Sequence, residues 1–254
     1  MFRMSAAQCD GSREEQEDSV NASHPDLQNS RGILCCVSDG MGGLNHGKEA
    51  SQLVVDRMIQ TFEQMPVSEN PGRILLHGCF LAQQDVLAIQ DEPEDSGATL
   101  VAVLIRNDRC SFLSVGDSRI YLFRGGGLIR LTREQNRGRS LDMMVEFGYL
   151  PPEARNDRNR GGLTGFIGMK MLNAVHRNAT PFALRDGDRI VLMSDGVFNT
   201  LSEPEMEQAM RLPEEEVAEE LIRLVECGNK QHQDNASVLV IDCTEEGPMQ
   251  GVQG

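Results

Sequence analysis

Residues 98–131, ATLVAVLIRNDRCSFLSVGDSRIYLFRGGGLIRL, decide the fold class of this chain. They contain short runs rich in Val, Ile, Leu or Cys at roughly 98–106, 110–115 and 119–124, and such runs predict buried β-strands. The segment LSVGDSRIYLFRGGGLIRL has the pattern of a hairpin, which favours antiparallel pairing. The stretch therefore predicts an antiparallel sheet.

The elements on either side of this stretch extend the prediction. Further strand-like runs lie at roughly 32–38, 188–194 and 236–242. Apolar residues at helical spacing predict helices over 46–65, 72–90 and 213–228. A doubly wound parallel sheet needs helices that alternate with strands throughout, so this order instead predicts an α+β layered fold.

The chain is of a size that suits one large domain, which we expect to cover residues 1–243. Residues 244–254, TEEGPMQGVQG, have the composition of a flexible C-terminal tail. The segment 133–170 is polar, rich in Arg and Gly, and only weakly periodic. A long irregular stretch of this kind predicts a lid or flap, with a short helix near 140–147.

Composition limits the partners and the compartment. The chain has 39 acidic and 24 basic residues and a formal net charge of −15, which argues against nucleic acid and anionic membrane surfaces as partners. It has no apolar run long enough to span a bilayer and no signal-peptide core. The seven cysteines include no CxxC pair, and Cys35, Cys36, Cys110 and Cys243 lie in or beside apolar runs. We therefore expect a cytoplasmic protein without disulfides or zinc, and a monomer.

Acidic residues stand at the edges of several apolar runs. Asp39, Asp117 and Asp195 each end one such run, and Asp234 precedes another. In an antiparallel sheet these opposite positions lie at the same edge, so the four carboxylates are expected to converge. Packed carboxylates need a compensating charge, and hard divalent cations are the usual one. The pattern predicts a metal site.

The donor set indicates which metal and which chemistry. Carboxylates with a backbone carbonyl, such as that of Gly40, favour Mg²⁺ or Mn²⁺ over zinc or copper. A paired-metal centre supplies hydroxide from a bridging water near neutral pH and holds a phosphoryl group for in-line attack. Bound cations would let an acidic protein accept a phosphorylated substrate, and Arg13 would add a bidentate phosphate contact.

Each motif has a simpler explanation when it is taken alone. An Asp-Gly pair after a strand is more often a turn, and Asp234 with Asn235 is open to the same interpretation. Asp117 and Arg119 would also suit a structural ion pair, and Arg13 a solvated surface charge. The simpler explanation must, however, be repeated for every acid in the series.

Six ordered motifs also resemble the protein phosphatase 2C family, whose members are metal-dependent Ser/Thr phosphatases. The motifs, which span about residues 8–242, are GSREEQED, VSDGMGGLNHGKEAS, GATLVAVL, VGDSRIYLFRGGGLIRLT, GDRIVLMSDGVFNTLS and DNASVLVI. The resemblance implies a four-layer fold, in which an antiparallel β-sandwich is flanked by helices on both faces. It also implies a metal centre in a cleft at one end.

The resemblance assigns roles to the acids. By position in the motifs, Asp39 is similar to the acid that bridges two metals, with Gly40 offering its carbonyl. Asp195 and Asp234 resemble the remaining ligands of the first metal. Together with Asp39 they are the expected catalytic residues.

The remaining matches concern the second metal, the third metal and the phosphate. Glu17 resembles the acid that holds the second metal, and Asp18 its water-mediated or supporting partner. Arg13 matches the family's phosphate-binding arginine. Asp117 resembles the ligand of a third, weaker metal, which leaves two tightly held Mg²⁺ or Mn²⁺ ions as the expected cofactors.

Two departures from the family pattern matter. Met41 stands where many eukaryotic members have a His, which favours a bacterial-type enzyme. Asn199 replaces an Asp that helps to hold the third metal in many relatives. A neutral amide oxygen binds a cation more weakly than a carboxylate does, so we expect a weaker third site.

The resemblance implies a protein Ser/Thr phosphatase in which a metal-bridging hydroxide attacks phosphorus directly, without a phosphoenzyme. It also implies phosphoprotein substrates, a cognate Ser/Thr kinase and a place in signal transduction. The alternative from another class is a catalytically weak, phosphatase-like regulatory binding module. A hydrolase of small phosphoesters is a third interpretation.

Overall fold

Two antiparallel sheets lie face to face at the centre of the molecule, and helices cover the outer face of each. This architecture, seen in a computed structural model, confirms the predicted α+β sandwich with helices on both faces. The structure describes residues 2–41, 46–92, 94–172, 174–228 and 230–243, and the tail expected over 244–254 lies outside them.

The elements have the following bounds. The strands are β1 Phe2–Cys9, β2 Ser19–Ala22, β3 Ile33–Ser38, β4 Gly40–Met41, β5 Gly97–Ala98, β6 Leu100–Arg106, β7 Arg109–Val115, β8 Arg119–Arg124, β9 Gly127–Arg130, β10 His176–Arg177, β11 Phe182–Ala183, β12 Arg189–Met193 and β13 Ala236–Cys243. The α-helices are α1 Gln28–Arg31, α2 Gly47–Gln64, α3 Pro71–Ile89, α4 Arg137–Glu146, α5 Asp195–Phe198, α6 Glu203–Ala209 and α7 Glu214–Cys227.

The chain order of the strands differs from their order in the sheets. One sheet has the order β1-β13-β12-β8-β9, and the other has the order β10-β7-β6-β3-β2, with β11 also paired to β7. Strands β7 and β8 therefore belong to different sheets, and the Gly116–Ser118 turn carries the chain from one sheet to the other. Within the predicted hairpin segment, residues 113–131, only β8 and β9 form a hairpin, turned by Gly125 and Gly126 at φ of 61° and 87°. Strands β6 and β7 form a second hairpin in the opening stretch, turned by Asn107 and Asp108 at φ of 51° and 55°.

The layers explain why the central strands are apolar at every position. Along β3, Ile33, Cys35 and Val37 pack against the other sheet, whereas Leu34 and Cys36 pack against α2 and α3. The outer face of the five-stranded sheet is covered in the same way by α5, α6 and α7. Because both faces are covered, these strands lack the polar alternation of a half-exposed sheet.

The predicted strands and the three long helices agree with the structure to within about two residues at most boundaries, the usual uncertainty of helix and strand ends. The cysteines expected to be buried, Cys35, Cys36, Cys110 and Cys243, are buried, and all seven cysteines are free thiols. Strand β1 and the short helices α5 and α6 were not predicted, because each has only a weak periodic signal.

The segment 133–170 contains α4 and a 3₁₀ turn at Pro152–Asn156. It is held internally by ion pairs between Arg137 and Asp157 at 2.8 Å and between Arg160 and Asp142 at 2.7 Å. At its base, the Gln135 N–H donates to the Gly116 carbonyl at 2.8 Å. We call this segment the flap. Among the described residues, no helix combines the length and the apolar composition that crossing a membrane requires.

Candidate metal centre

The edges of the two sheets bring the predicted acids to one end of the sandwich. Strands β3 and β7 both run antiparallel to β6, so Asp39 and Asp117, which follow them, lie at the same edge. Strand β12 runs antiparallel to β13. Asp195 follows β12 and Asp234 precedes β13, so these two residues lie at the same edge of the sheet. The packed sheets place both pairs together.

Mutual repulsion is clearest at Asp39 and Asp195. Burial raises the pKa of Asp39 well above its ordinary value, and the neighbouring carboxylates Asp18, Asp195, Asp117 and Asp234 raise it further. Burial also raises the pKa of Asp195 to about 7, with Asp117, Asp234 and Asp18 adding to the effect. Such shifts are typical of buried carboxylates that lie close together.

Backbone and hydroxyl contacts fix the position of Asp39. Its N–H donates to Thr99 Oγ1 at 2.9 Å, and its carbonyl accepts from the Thr99 N–H at 2.8 Å. Thr99 Oγ1 lies 2.7 Å from Ser118 Oγ, one residue beyond Asp117. Gly116 adopts a φ of 97°, and a Cβ there would lie 2.7 Å from Thr99 Cγ2. Thr99 thus ties the turn after β3 to the turn after β7.

Asp18 is the most enclosed of the acids, with 6% of its surface exposed. Its Oδ2 accepts hydrogen bonds from Ser194 Oγ and Ser237 Oγ, each at 2.7 Å. Burial raises the pKa of Asp18 to about 6, and the two serine hydrogen bonds oppose that rise. The two serines therefore hold Asp18 as a structural member of the cluster.

Glu17 lies on a loop that is packed tightly against α2. A Cβ at Gly40 would lie 2.5 Å from the Glu17 carbonyl oxygen, and one at Gly47 would lie 2.7 Å from Glu17 Oε1. The Gly40 N–H donates to the Glu17 carbonyl at 3.2 Å. Burial is the main cause of the raised pKa of Glu17. Glycine is required at position 40, where a Cβ would meet backbone atoms, whereas at position 47 a Cβ would first meet the end of the Glu17 side chain, which would have to move.

Asn235 holds that loop in place and was not predicted to do so. Its Oδ1 accepts from the Glu17 N–H at 2.9 Å, and its Nδ2 donates to the carbonyls of Asp10 and Glu15, each at 3.0 Å. Asn235 is only 4% exposed. The interpretation of Asp234 and Asn235 as a simple turn therefore misses a clamp across the site.

Arg13 lies at the mouth of the cluster. Its Nη2 is 2.9 Å from Asp234 Oδ2, and about half of its side-chain surface remains exposed. The pKa of Arg13 is raised by its hydrogen bond and ion pair with Asp234, with smaller contributions from Glu17 and Asp195. The guanidinium is therefore held by Asp234 and remains partly open to solvent.

Asp117 and Asn199 border a cavity on the flap side of the cluster. Burial raises the pKa of Asp117 to about 6, and the nearby Glu134 adds to the rise. Arg119 pairs with Glu134 and not with Asp117, since its Nε lies 2.7 Å from Glu134 Oε1. The structural ion pair considered for Asp117 is therefore wrong. Asn199 Nδ2 donates to Asp195 Oδ2 at 3.1 Å.

The chemistry of this donor set fits hard divalent cations. The donors are oxygens of Asp39, Asp117, Asp195, Asp234 and Glu17. Burial, together with neighbouring carboxylates, raises the pKa values of Asp39, Asp117, Asp195 and Glu17. Within the described ranges, no three His, Cys, Asp or Glu side chains already stand in the geometry of a metal site. The fit to a cation thus rests on donor type and electrostatics.

Comparisons with known proteins agree with this geometry. The family model of protein phosphatase 2C matches residues 11–236. The chain is 30% identical over 233 residues to the serine/threonine protein phosphatase PstP of Mycobacterium tuberculosis, covering 89% of this chain but only 43% of that protein. It is 27% identical to the protein phosphatase PhpP of Streptococcus pneumoniae, covering 84% of this chain and 87% of that protein.

A solved structure gives the same result for the fold. The catalytic domain of PstP in complex with two manganese ions superposes with a TM-score of 0.76 and is 28% identical, covering 96% of this chain and 99% of that one. The family model covers most of the described sandwich and all of the acids discussed above. The chain belongs to the protein phosphatase 2C family.

Proposed function

We propose that this chain is a metal-dependent protein phosphatase that hydrolyses phosphoserine and phosphothreonine. The observation that carries the proposal is the convergence of carboxylates with raised pKa values at one end of the sandwich, with Arg13 at its mouth. The residues suit Mg²⁺ or Mn²⁺, and two manganese ions are bound by the related PstP catalytic domain.

The ligands we propose follow from the family resemblance. Asp39, the Gly40 carbonyl, Asp195, Asp234 and Glu17 would hold two cations, with Asp18 in support. Asp117 would hold a third, weaker ion, since its neighbour Asn199 supplies no second carboxylate. Bound cations would supply an activated water near neutral pH and neutralise phosphoryl charge.

The residues of the chain itself orient the substrate and the ligands. Arg13 would bind a phosphoryl oxygen while still paired with Asp234, which fixes the direction of its guanidinium. Thr99 and Asn235 keep Asp39 and Glu17 in place through backbone hydrogen bonds. Among the described cysteines, Cys35, Cys36, Cys79 and Cys110 have pKa values raised by burial, which disfavours a thiolate nucleophile.

The wider proposal concerns the setting of the enzyme. We infer a catalytic domain over 1–243, phosphoprotein substrates, a cognate Ser/Thr kinase and a role in signal transduction in the cytoplasm. A monomer without nucleic-acid or membrane partners fits the acidic surface. These proposals are supported by family membership and composition.

Turnover of a phosphothreonine peptide tests the central proposal. We expect activity with Mn²⁺, loss of activity in EDTA, and a loss of at least about a hundredfold in Asp39→Asn, which removes one ligand charge. The matched control is Asp26→Asn, because the Asp26 side chain is 88% exposed and lies outside the site. Activity that survives both EDTA and Asp39→Asn would refute the two-metal proposal, and binding of the peptide without turnover would support the regulatory module.

A further inference from the structure

A polar cavity of about 370 Å³ lies between the metal centre and the flap. Asp117, Asp195 and Asn199 line it on the side of the metal centre. Its size is within the roughly 300–1,000 Å³ range of ligand pockets in proteins. The cavity is therefore large enough to hold part of a substrate whose phosphate lies at the metal centre.

Arginines are concentrated around this cavity, although the chain as a whole has a net charge of −15. Four arginines and four acids line it. They are Arg119, Arg130, Arg139, Arg160, Asp117, Glu134, Asp142 and Asp195. With Asp117 and Asp195 neutralised by the cations proposed above, the four arginines would face only two acids, and that excess of positive charge would favour an anionic ligand.

Two of the four arginines are already occupied by structural contacts. Arg119 donates to Glu134 at 2.7 Å and lies over the ring of Phe198, 3.6 Å from its centroid. Arg160 donates to Asp142 at 2.7 Å and so holds the flap together. These two arginines have little capacity left for a ligand.

The other two arginines have free donors. Arg130 is 40% exposed and shares Glu134 Oε1 with Arg119, at 3.1 Å. Arg139, in the first turn of α4, is exposed and forms no ion pair with any residue that the structure describes. Its backbone N–H is satisfied by Asn136 Oδ1 at 2.9 Å, which fixes the helix that carries it.

We propose that Arg139, assisted by Arg130, binds an acidic side chain of the phosphoprotein substrate, close in sequence to the phosphorylated residue. This inference rests on the proposed phosphatase function and names its substrate class. A guanidinium binds a carboxylate through two parallel hydrogen bonds, and a cavity wall screens the pair less than open surface does.

The dimensions of the cavity limit where the acidic residue lies. A sphere of the cavity's volume is about 9 Å across, and an extended chain covers that distance in roughly three residues. The selected acid therefore lies within about three positions of the phosphothreonine. Because Asp117 and Asp195 would be neutralised by cations, they would not repel it.

Matched phosphothreonine peptides test the proposal. Each peptide carries one Glu within three positions on either side of the phosphothreonine, and its partner carries Gln at that position. We expect kcat/KM to be about tenfold higher for one Glu peptide than for its Gln partner, as expected for one charge-assisted hydrogen bond. Raising the salt concentration is expected to reduce this preference.

Two variants of the flap separate a specific contact from a general effect. Arg139→Gln is expected to lose the preference for Glu and to keep wild-type turnover of the Gln peptide and of p-nitrophenyl phosphate. Arg139→Glu is expected to prefer a peptide with Lys at the selected position. Arg158→Gln is the control, because Arg158 is an exposed flap arginine that does not line the cavity.

Binding of the same peptides, measured by fluorescence anisotropy, keeps this test independent of catalysis. Equal kcat/KM and equal affinity for every Glu and Gln pair would overturn the substrate proposal, and turnover of p-nitrophenyl phosphate would then leave the phosphatase function standing. Absence of turnover with a retained Arg139-dependent preference in binding would instead overturn the phosphatase function. An equal loss of preference in Arg158→Gln would also overturn the role of Arg139.

Discussion

Ser237→Ala tests whether the acidic cluster depends on the hydroxyl groups beneath it. In the native protein Ser237 Oγ donates to Asp18 Oδ2 at 2.7 Å and accepts from Gln8 Nε2 at 2.8 Å, and Ser237 is fully buried. Loss of a hydrogen bond to a buried charged group costs about 1.5–3 kcal/mol, and a neutral bond adds roughly 1 kcal/mol. We therefore expect a loss of about 2–4 kcal/mol in the free energy of unfolding.

A loss of this size is readily measured. For a chain of this length each kcal/mol lowers the melting temperature by about 2–4 °C, so the melting temperature should fall by roughly 4–16 °C. Calorimetry or circular dichroism in EDTA measures the effect without a contribution from metal. The matched control is Ser114→Ala, because Ser114 Oγ is buried in β7 without a hydrogen-bond partner and its removal should be close to neutral.

The pH dependence of the Ser237→Ala effect has a defined sign. Burial raises the pKa of Asp18 from 3.8 to about 6, and the Ser237 hydrogen bond opposes the rise, so the variant should have a still higher pKa. A group with a raised native pKa stabilises the fold at pH values below its unfolded pKa, and that stability is lost as the pH rises through its native pKa. The deficit of the variant should therefore be larger at about pH 8 than at about pH 5. Equal melting temperatures for Ser237→Ala and Ser114→Ala would refute the reasoning.

Three further predictions concern the same end of the sandwich. Asn199→Asp should raise the affinity for a third Mn²⁺, measured by titration calorimetry, and unchanged affinity and turnover would contradict the explanation for a weak third site. Gly196→Ala should destabilise the protein by about 3 kcal/mol in urea denaturation. The reason is that the added Cβ would lie 2.0 Å from the Asn235 carbonyl oxygen, whereas Gly161→Ala meets nothing within 4 Å and serves as control. The pKa of Asp195 is raised to about 7, so the melting temperature in EDTA should fall as the pH rises from about 5 to 8. Saturating Mn²⁺ should oppose that fall. A melting temperature in EDTA that does not change with pH would contradict this prediction.

The strands of the central sheets were predictable because both of their faces are covered. Strand β3 is buried at every residue, so its sequence is a continuous apolar run with a clear beginning and end. Strand β1 pairs only with β13 at a sheet edge and alternates between partly buried and exposed residues. Its sequence therefore contains little of the apolar signal on which the prediction depends.

The acids of the candidate site were predictable for a local reason, and their supports were not. Asp39 and Asp195 follow apolar runs directly, which marks them as residues at a sheet edge. Ser194 and Ser237 contact Asp18 across 176 and 219 residues of chain, so only the folded structure brings these partners together. A serine inside an otherwise apolar strand was the available signal, but it does not identify the partner.

The energetics of the cluster connect the fold to the proposed activity. Asp117 and Asp195 raise the pKa of Asp39, and Asp117 also raises that of Asp195, so their ionised forms destabilise the folded protein near neutral pH. A cation that binds this folded arrangement, but not the unfolded chain, recovers that stability in proportion to its affinity. The Asp39 N–H donates to Thr99, the Glu17 N–H donates to Asn235 and Ser237 donates to Asp18, and these bonds hold the acids together against their repulsion. Metal affinity and folding stability should therefore change together when these supports are removed, whereas removal of Arg139 should change only the choice of substrate.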